Sequence, residues 1–195
     1  TLERLGTDYI DLMILHQPAG DYLAGYAKLE AAYKAGKLRS IGISNFNKAE
    51  IENLLAHCEI TPALIQVECH PYFPQTELKE LLDKHNIALQ SWYPLGGRDN
   101  KSILEEPIVS ELAEKYGKTA AQVIMRWHVQ QGNIVIPGSK TPSHIADNIG
   151  IFDFELSDED MEAMAALDQG KPFYERTAEK IAFYATWHPN VEGQK

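Results

Sequence analysis

Tyr9-Ile10-Asp11-Leu12-Met13-Ile14-Leu15-His16 is a short apolar run of strand length, and the turn and helix after it decide the fold. Pro18 and Gly20 mark a turn, after which Tyr22, Leu23, Tyr26, Leu29 and Ala32 or Tyr33 recur at helical spacing until Gly36. Leu38-Arg39-Ser40-Ile41-Gly42-Ile43 then reads as a second strand. A strand, a helix closed by glycine and a further apolar strand form one β/α unit, which requires a parallel pairing with the helix packed on the sheet.

The same grammar continues outward from this unit. Lys48 to His57 reads as a helix, Pro62-Ala63-Leu64-Ile65-Gln66-Val67 as a strand and Glu77 to His85 as a helix. Ile87-Ala88-Leu89-Gln90-Ser91-Trp92 is the next strand, with helices predicted around Val109–Tyr116 and Ala120–Gln130. Ile134-Val135-Ile136 closes the series, before a helix from Pro142 to about Gly150. The fold class predicted is α/β, of the (β/α)8 TIM-barrel type, with about five of the eight β/α units. Thr1-Leu2-Glu3-Arg4-Leu5 reads as the last turns of a helix already under way, as in a fragment, a processed product or an engineered segment. No linker divides the chain. From Lys171 onward the sequence is mixed and aromatic, and reads as a tail or ordered loop. In such folds chemistry gathers at the carboxyl ends of the strands, and His16, Ser44-Asn45, Gln66, Trp92 and Pro137-Gly138-Ser139 are all expected there.

Charge and composition narrow the function. A net charge of -10 disfavours nucleic acid and anionic membrane as partners, since both need clustered Lys and Arg. No apolar run approaches the roughly 20 residues of a membrane span, no signal peptide is evident, and a reducing cytoplasm is the simplest home. Cys58 and Cys69 make no disulfide framework, and His57-Cys58 with Cys69-His70 lack the close ligand pairs of zinc sites, so no metal is expected. His85, His128 and His188 join no constellation. Ser157 reads as the N-cap of an acidic helix start, with Asp160 at the capping-box position.

Four runs carry a resemblance to a known family. Asp11-Leu12-Met13-Ile14-Leu15-His16-Gln17-Pro18 resembles the aldo-keto reductase strand that ends in an active-site histidine. Gly36-Lys37-Leu38-Arg39-Ser40-Ile41-Gly42-Ile43-Ser44-Asn45-Phe46 is similar to that family's most recognisable run, and Gln66-Val67-Glu68-Cys69-His70-Pro71-Tyr72-Phe73-Pro74-Gln75 to another. Ile136-Pro137-Gly138-Ser139-Lys140, continuing through Asn148 to Phe154, resembles its phosphate loop and the segment after it. The order and spacing match along essentially the whole chain, and the resemblance implies that its 195 residues form one C-terminal portion of a barrel domain.

The resemblance implies reduction of a small-molecule aldehyde or ketone by hydride from NADPH or NADH. It places the substrate carbonyl near His16, and the nicotinamide carboxamide near Ser44, Asn45 and Gln66, whose hydroxyl and amides complement an amide. Trp92 matches the aromatic ring under the nicotinamide, and Leu95, Gly96 and Gly97 the loop crossing the pyrophosphate. Gly138, Ser139, His144 and Asn148 match the adenosine end, where most members carry Lys and Arg at the first and third of these positions to grip the 2′-phosphate of NADPH. Taken one at a time, His16 also fits a strand-end histidine bonded to a nearby carbonyl, Asn45 a helix cap, and Trp92 a rim position in the core. The family's catalytic Tyr, Lys and Asp lie on strands upstream of any present here, so His16 alone of that set is expected and the chain is expected to be inactive alone. An incomplete barrel also leaves a strand edge open to self-association. The alternative is a cofactor-binding relative that acts as a binding or structural subunit.

Overall fold

The computed structural model describes residues 2–97 and 102–187, so Thr1 and His188 lie outside the described residues. Helices and strands alternate in the order α1 (Leu2–Leu5), β1 (Met13–Leu15), α2 (Tyr22–Lys34), β2 (Ile41–Ser44), α3 (Lys48–His57), β3 (Leu64–Glu68), α4 (Thr76–Lys84) and β4 (Ala88–Trp92). They continue as α5 (Pro107–Tyr116), α6 (Ala120–Gln130), β5 (Ile134–Val135), α7 (Pro142–Ile149), α8 (Asp158–Ala165) and α9 (Ala178–Thr186). The chain groups into two compact units, 1–63 with 175–195 and 64–174.

In the first unit β1 and β2 pair in parallel, Met13 opposite Ile41 and Leu15 opposite Ile43. The strands are shorter than the apolar runs suggest. Ile10 meets Leu38 only as an isolated bridge, and the ladder lapses at Asp11, whose carboxylate takes the Arg39 guanidinium at 3.0 Å. Asp21 caps α2, accepting from the Ala24 N–H at 2.9 Å, and α3 starts with a reciprocal capping box between Asn47 and Glu50. Tyr26 on α2 is buried and donates its hydroxyl to the Ile60 carbonyl at 3.0 Å, while Glu30 accepts from the Glu59 and Ile60 N–H groups. These bonds satisfy the backbone of the loop leaving α3, and burial raises the Tyr26 phenol well above its usual range. The tail departs from the sequence reading: Thr177 caps a ninth helix, accepting from Lys180 N–H at 3.3 Å.

In the second unit β3, β4 and β5 pair in parallel, with Leu64 opposite Ala88, Glu68 opposite Trp92 and Gln90 opposite Ile134. Thr119 and Gln122 form the capping box of α6, which buries Val123, Ile124 and Trp127 against Val109 and Leu112 of α5 and Met164 of α8. Pro107 opens α5, and Gly117 at φ 62° closes it in the left-handed region where a residue without Cβ is unstrained. At the free side of β5, Ile134 and Ile136 remain more than two-fifths exposed.

Asp160 ties α8 to α5. It is 8% exposed, accepts from Lys115 Nζ at 2.7 Å and from the Tyr116 hydroxyl, and completes the Ser157 capping box predicted from sequence. Burial pushes its carboxyl up, but the bonds from Lys115, Tyr116 and Ser157 outweigh that and hold it down at about 2, against an ordinary 3.8. A carboxyl lowered in the folded state stabilises fully above its unfolded value and loses that contribution as pH falls through the folded one. Asp160→Asn should therefore lower stability near neutral pH by about 1–3 kcal/mol, the usual cost of losing hydrogen bonds to a charged group. In urea unfolding the deficit should shrink between pH 4 and pH 2; a deficit constant across that window would count against this assignment.

Candidate functional site

In the first unit, β1 delivers His16 one residue beyond its last strand position, with the side chain exposed. The His16 backbone carbonyl accepts from Asn45 Nδ2 at 3.2 Å, so the ends of β1 and β2 are tied by a side chain rather than by the ladder. All four residues of β2 are buried, and the last, Ser44, is 0% exposed with no hydrogen-bond partner for its Oγ among the described residues. An unpartnered buried hydroxyl is costly, which makes Ser44 a group that a ligand amide would satisfy. Asn45 has φ 64°, a left-handed conformation that Asn tolerates better than most residues. The turn it makes sends Phe46 into the core, edge-on to Tyr22 at 5.3 Å. Asn45 is not the helix cap; Asn47, two residues on, takes that role because its carboxamide reaches the Glu50 N–H.

In the second unit, Gln66 departs from the strand-end position expected of it. It is the third of five residues in β3, which runs on to Glu68 because each residue finds a register partner in β4. Gln66 Nε2 donates to Oε1 of its partner Gln90 at 2.6 Å, a cross-strand pair that makes two half-buried amides compatible with a sheet interior. An amide has two hydrogens and an acceptor, so one such bond does not exhaust Gln66. Trp92 does end β4, with the Tyr93 ring edge-on at 4.6 Å and the Tyr174 ring edge-on at 5.9 Å. The chain then turns: Gly96 N–H donates to the Tyr93 carbonyl at 3.0 Å and Leu95 packs into the core. Gly96 and Gly97 have φ of 88° and 80°, and a Cβ on Gly97 would lie 3.1 Å from three Tyr93 ring carbons. A side chain there would be strained by the positive φ and would press on the Tyr93 ring.

Beyond β5 the loop carries Gly138, around which a Cβ would meet nothing within 4 Å, and Ser139, whose Oγ accepts from Thr141 N–H at 3.1 Å. Pro142 opens α7. Gly138, Ser139 and Asn148 line one groove of about 740 Å³, together with the apolar Ile145, Ile149 and Phe152. His144, on the same helix, is exposed and does not line it.

Sequence reasoning passed over Glu68. It stands at the true end of β3, 5% exposed, beside a His70 that is 0% exposed, and its carboxylate receives backbone N–H groups more than a hundred residues ahead. A carboxylate within an otherwise apolar strand end was the available signal. Cys69 between them is buried, donates to the Pro74 carbonyl at 3.5 Å, and burial pushes its thiol up to about 12. His128 is fully buried on α6, and burial pushes its imidazole down to about 3, so it is a neutral core group at physiological pH. Among the described residues no helix is long and apolar enough to cross a membrane.

The comparisons with known proteins bear on these positions together. Residues 1–169 match the model of the aldo/keto reductase family. The chain is 42% identical over 174 residues to an aldo-keto reductase of Mycolicibacterium smegmatis, covering 88% of this chain and 62% of that protein. It is 41% identical over 174 residues to 2,5-diketo-D-gluconic acid reductase B of a Corynebacterium species, again covering 88% of this chain and 62% of the relative. The crystal structure of a Gox0644 mutant in complex with NADPH superimposes with a TM-score of 0.83 at 37% identity, covering 89% of this chain and 65% of that one. The chain thus spans about three-fifths of the length of the curated relatives it matches. Five strands alternating with helices, parallel within each unit, match a portion of that barrel fold. With motifs, fold and relatives in agreement, the chain belongs to the aldo/keto reductase family.

Proposed function

We propose that the chain is the cofactor-holding portion of an NAD(P)H-dependent reductase of aldehydes and ketones. The observation that carries this is the convergence of Gly138, Ser139 and Asn148 on one groove, three positions singled out from sequence for the adenosine end of the cofactor. The buried, unpartnered hydroxyl of Ser44 supports the same reading at the nicotinamide end. The bound nicotinamide would supply the hydride that reduces the carbonyl carbon. Ser44, Asn45 and Gln66 are assigned to its carboxamide, and Trp92 to the ring face, where a flat indole leaves one face open. Leu95 and Gly96 are assigned to the pyrophosphate crossing, where the glycine lets backbone approach closely. His16 orients the substrate carbonyl and supports delivery of the proton that accompanies hydride transfer. A relative named for reduction of a diketo sugar acid and a neighbour solved with NADPH support the reaction class and the cofactor.

Cofactor preference follows from charge. Gly138 and His144 stand where most family members carry Lys and Arg, so the charge-assisted grip on a 2′-phosphate is weakened. Lys140 lies two residues from Gly138 and restores part of the lost charge, while Ser139 and the start of α7 keep hydroxyl and backbone donors for an anion. NADH is therefore expected to bind comparably to NADPH. Gly138→Lys and His144→Arg should each tighten NADPH over NADH by about 10-fold or more, since a hydrogen bond to a charged group contributes about 1.5–3 kcal/mol. Dissociation constants from the change in reduced-nicotinamide emission test this. A wild type that already prefers NADPH a thousandfold, unmoved by either replacement, refutes it.

Two further outcomes concern the 195 residues tested by themselves. With His16 as the one member of the family's catalytic set matched in this sequence, no oxidation of NADPH by a reactive aldehyde above background is expected, and clear turnover would overturn that. Exposed Ile134 on β5 and Ile136 just beyond it, with Ile145, Ile149 and Phe152 nearby in sequence, are the kind of apolar strand edge that pairs between chains. Light scattering should report a dimer or larger; a monomer with a full thermal transition in dilute solution would contradict it.

A further inference from the structure

At the end of β3 the buried carboxylate of Glu68 holds a segment far away in sequence. Glu68 Oε1 accepts from the Phe173 N–H at 2.6 Å, and Oε2 accepts from the Tyr174 N–H at 3.1 Å. Oε1 also faces His70 Nε2 at 3.1 Å, and the His70 ring stacks on Phe173 at 4.4 Å with an interplanar angle of 28°. The Glu68 backbone carbonyl receives Gln75 Nε2 at 2.8 Å, so the carboxylate is presented from a strand end that is itself tied down. Both backbone donors belong to a segment with no helix or strand of its own. Their position is therefore set by the acceptor they find.

The consequence falls on Trp92. Its indole plane is bounded by two rings near the perpendicular, Tyr93 at 73° and Tyr174 at 76°. Tyr93 is held by its own strained turn, at φ 54°. Tyr174 has its backbone N–H on Glu68. We propose that Glu68 is a positioning residue: by fixing the backbone at Phe173 and Tyr174 it sets the Tyr174 ring against Trp92 and so holds the indole in one orientation. The consequence for the cofactor rests on the assignment of Trp92 to the nicotinamide face, but the structural coupling does not. Glu68 touches neither substrate nor cofactor in this scheme; it acts through Tyr174.

The test uses Glu68→Gln, Tyr174→Ala and the double variant of the 195-residue chain. In Glu68→Gln the charge is lost and one of the two acceptor oxygens becomes an NH2 that faces an N–H donor. Amide exchange at Tyr174, and more weakly at Phe173, should accelerate, by roughly tenfold or more at the amide left facing the NH2, the factor expected for loss of a hydrogen bond to a charged acceptor. The near-ultraviolet circular dichroism should change as it does in Tyr174→Ala, and the double variant should add nothing to Tyr174→Ala alone. NADPH dissociation constants should rise together in both single variants. If the amide variant does not fold, Glu68→Asp, which keeps the charge and withdraws the oxygens, is read the same way. Unchanged exchange and an unchanged near-ultraviolet spectrum in a folded variant overturn the proposal. Altered exchange with NADPH binding untouched overturns the link to the nicotinamide face. Should the wild type bind neither nicotinamide cofactor while exchange and spectrum respond as expected, the positioning role stands and the assignment of this chain as cofactor-holding falls.

Discussion

The register between β3 and β4 is the constraint on which the second unit depends. Leu64 lies opposite Ala88 and Glu68 opposite Trp92, each step fixed by parallel-ladder hydrogen bonds. A slip of one residue would reverse every side chain across the sheet. Gln66 would then lose Gln90, leaving two half-buried amides to find other partners, and the Glu68 carboxylate would point away from the segment it holds. Polar pairing and strand register thus enforce each other here, where an apolar pair would specify the register less sharply.

Buried polar groups divide into two kinds in this molecule. Glu30, Glu68 and Asp160 are enclosed, each accepting from backbone or side-chain donors of a segment distant in sequence. Ser44 Oγ and Asn133 Oδ1 are enclosed without a partner among the described residues. The first kind stabilises loops and helix junctions that have no ladder to order them. The second kind costs free energy in the fold, and Ser44 stands at a strand end where ligands approach barrels of this family. Asn133 Nδ2 lies 3.4 Å from His128 Nδ1, a long contact between core groups, and Asn133 also lines the groove beside Ile134.

Glycine and left-handed residues mark the same positions from the backbone side. Asn45, Tyr93, Gly96 and Gly97 all have positive φ, and all lie within five residues of the last residue of β2 or β4. Strands that end in sharp turns present side chains and exposed backbone in place of a regular helix entry. At Gly97 a positive φ and the closeness of the Tyr93 ring, 3.1 Å from a Cβ position, both disfavour a side chain.

What the sequence by itself determined is the alternation of strands and helices as far as α8, and the family. Apolar period, the capping pair Ser157 with Asp160, and closing glycines are local signals that act within a few residues. The motif runs around His16, Ser44, Gln66 and Gly138 were legible for the same reason, since each is contiguous. Strand lengths were not: β1 begins only at Met13, with Ile10 meeting Leu38 as an isolated bridge, and β3 outruns Gln66 because Glu68 finds Trp92 opposite. Nor could sequence show that Glu68 meets Phe173 and Tyr174, or that Gly138, Ser139 and Asn148 line a groove that His144 does not. These are decided by tertiary structure. Hydrogen bonding to a residue a hundred positions distant leaves no periodicity in the chain, and which face of α7 looks into the groove is set by what packs against the other.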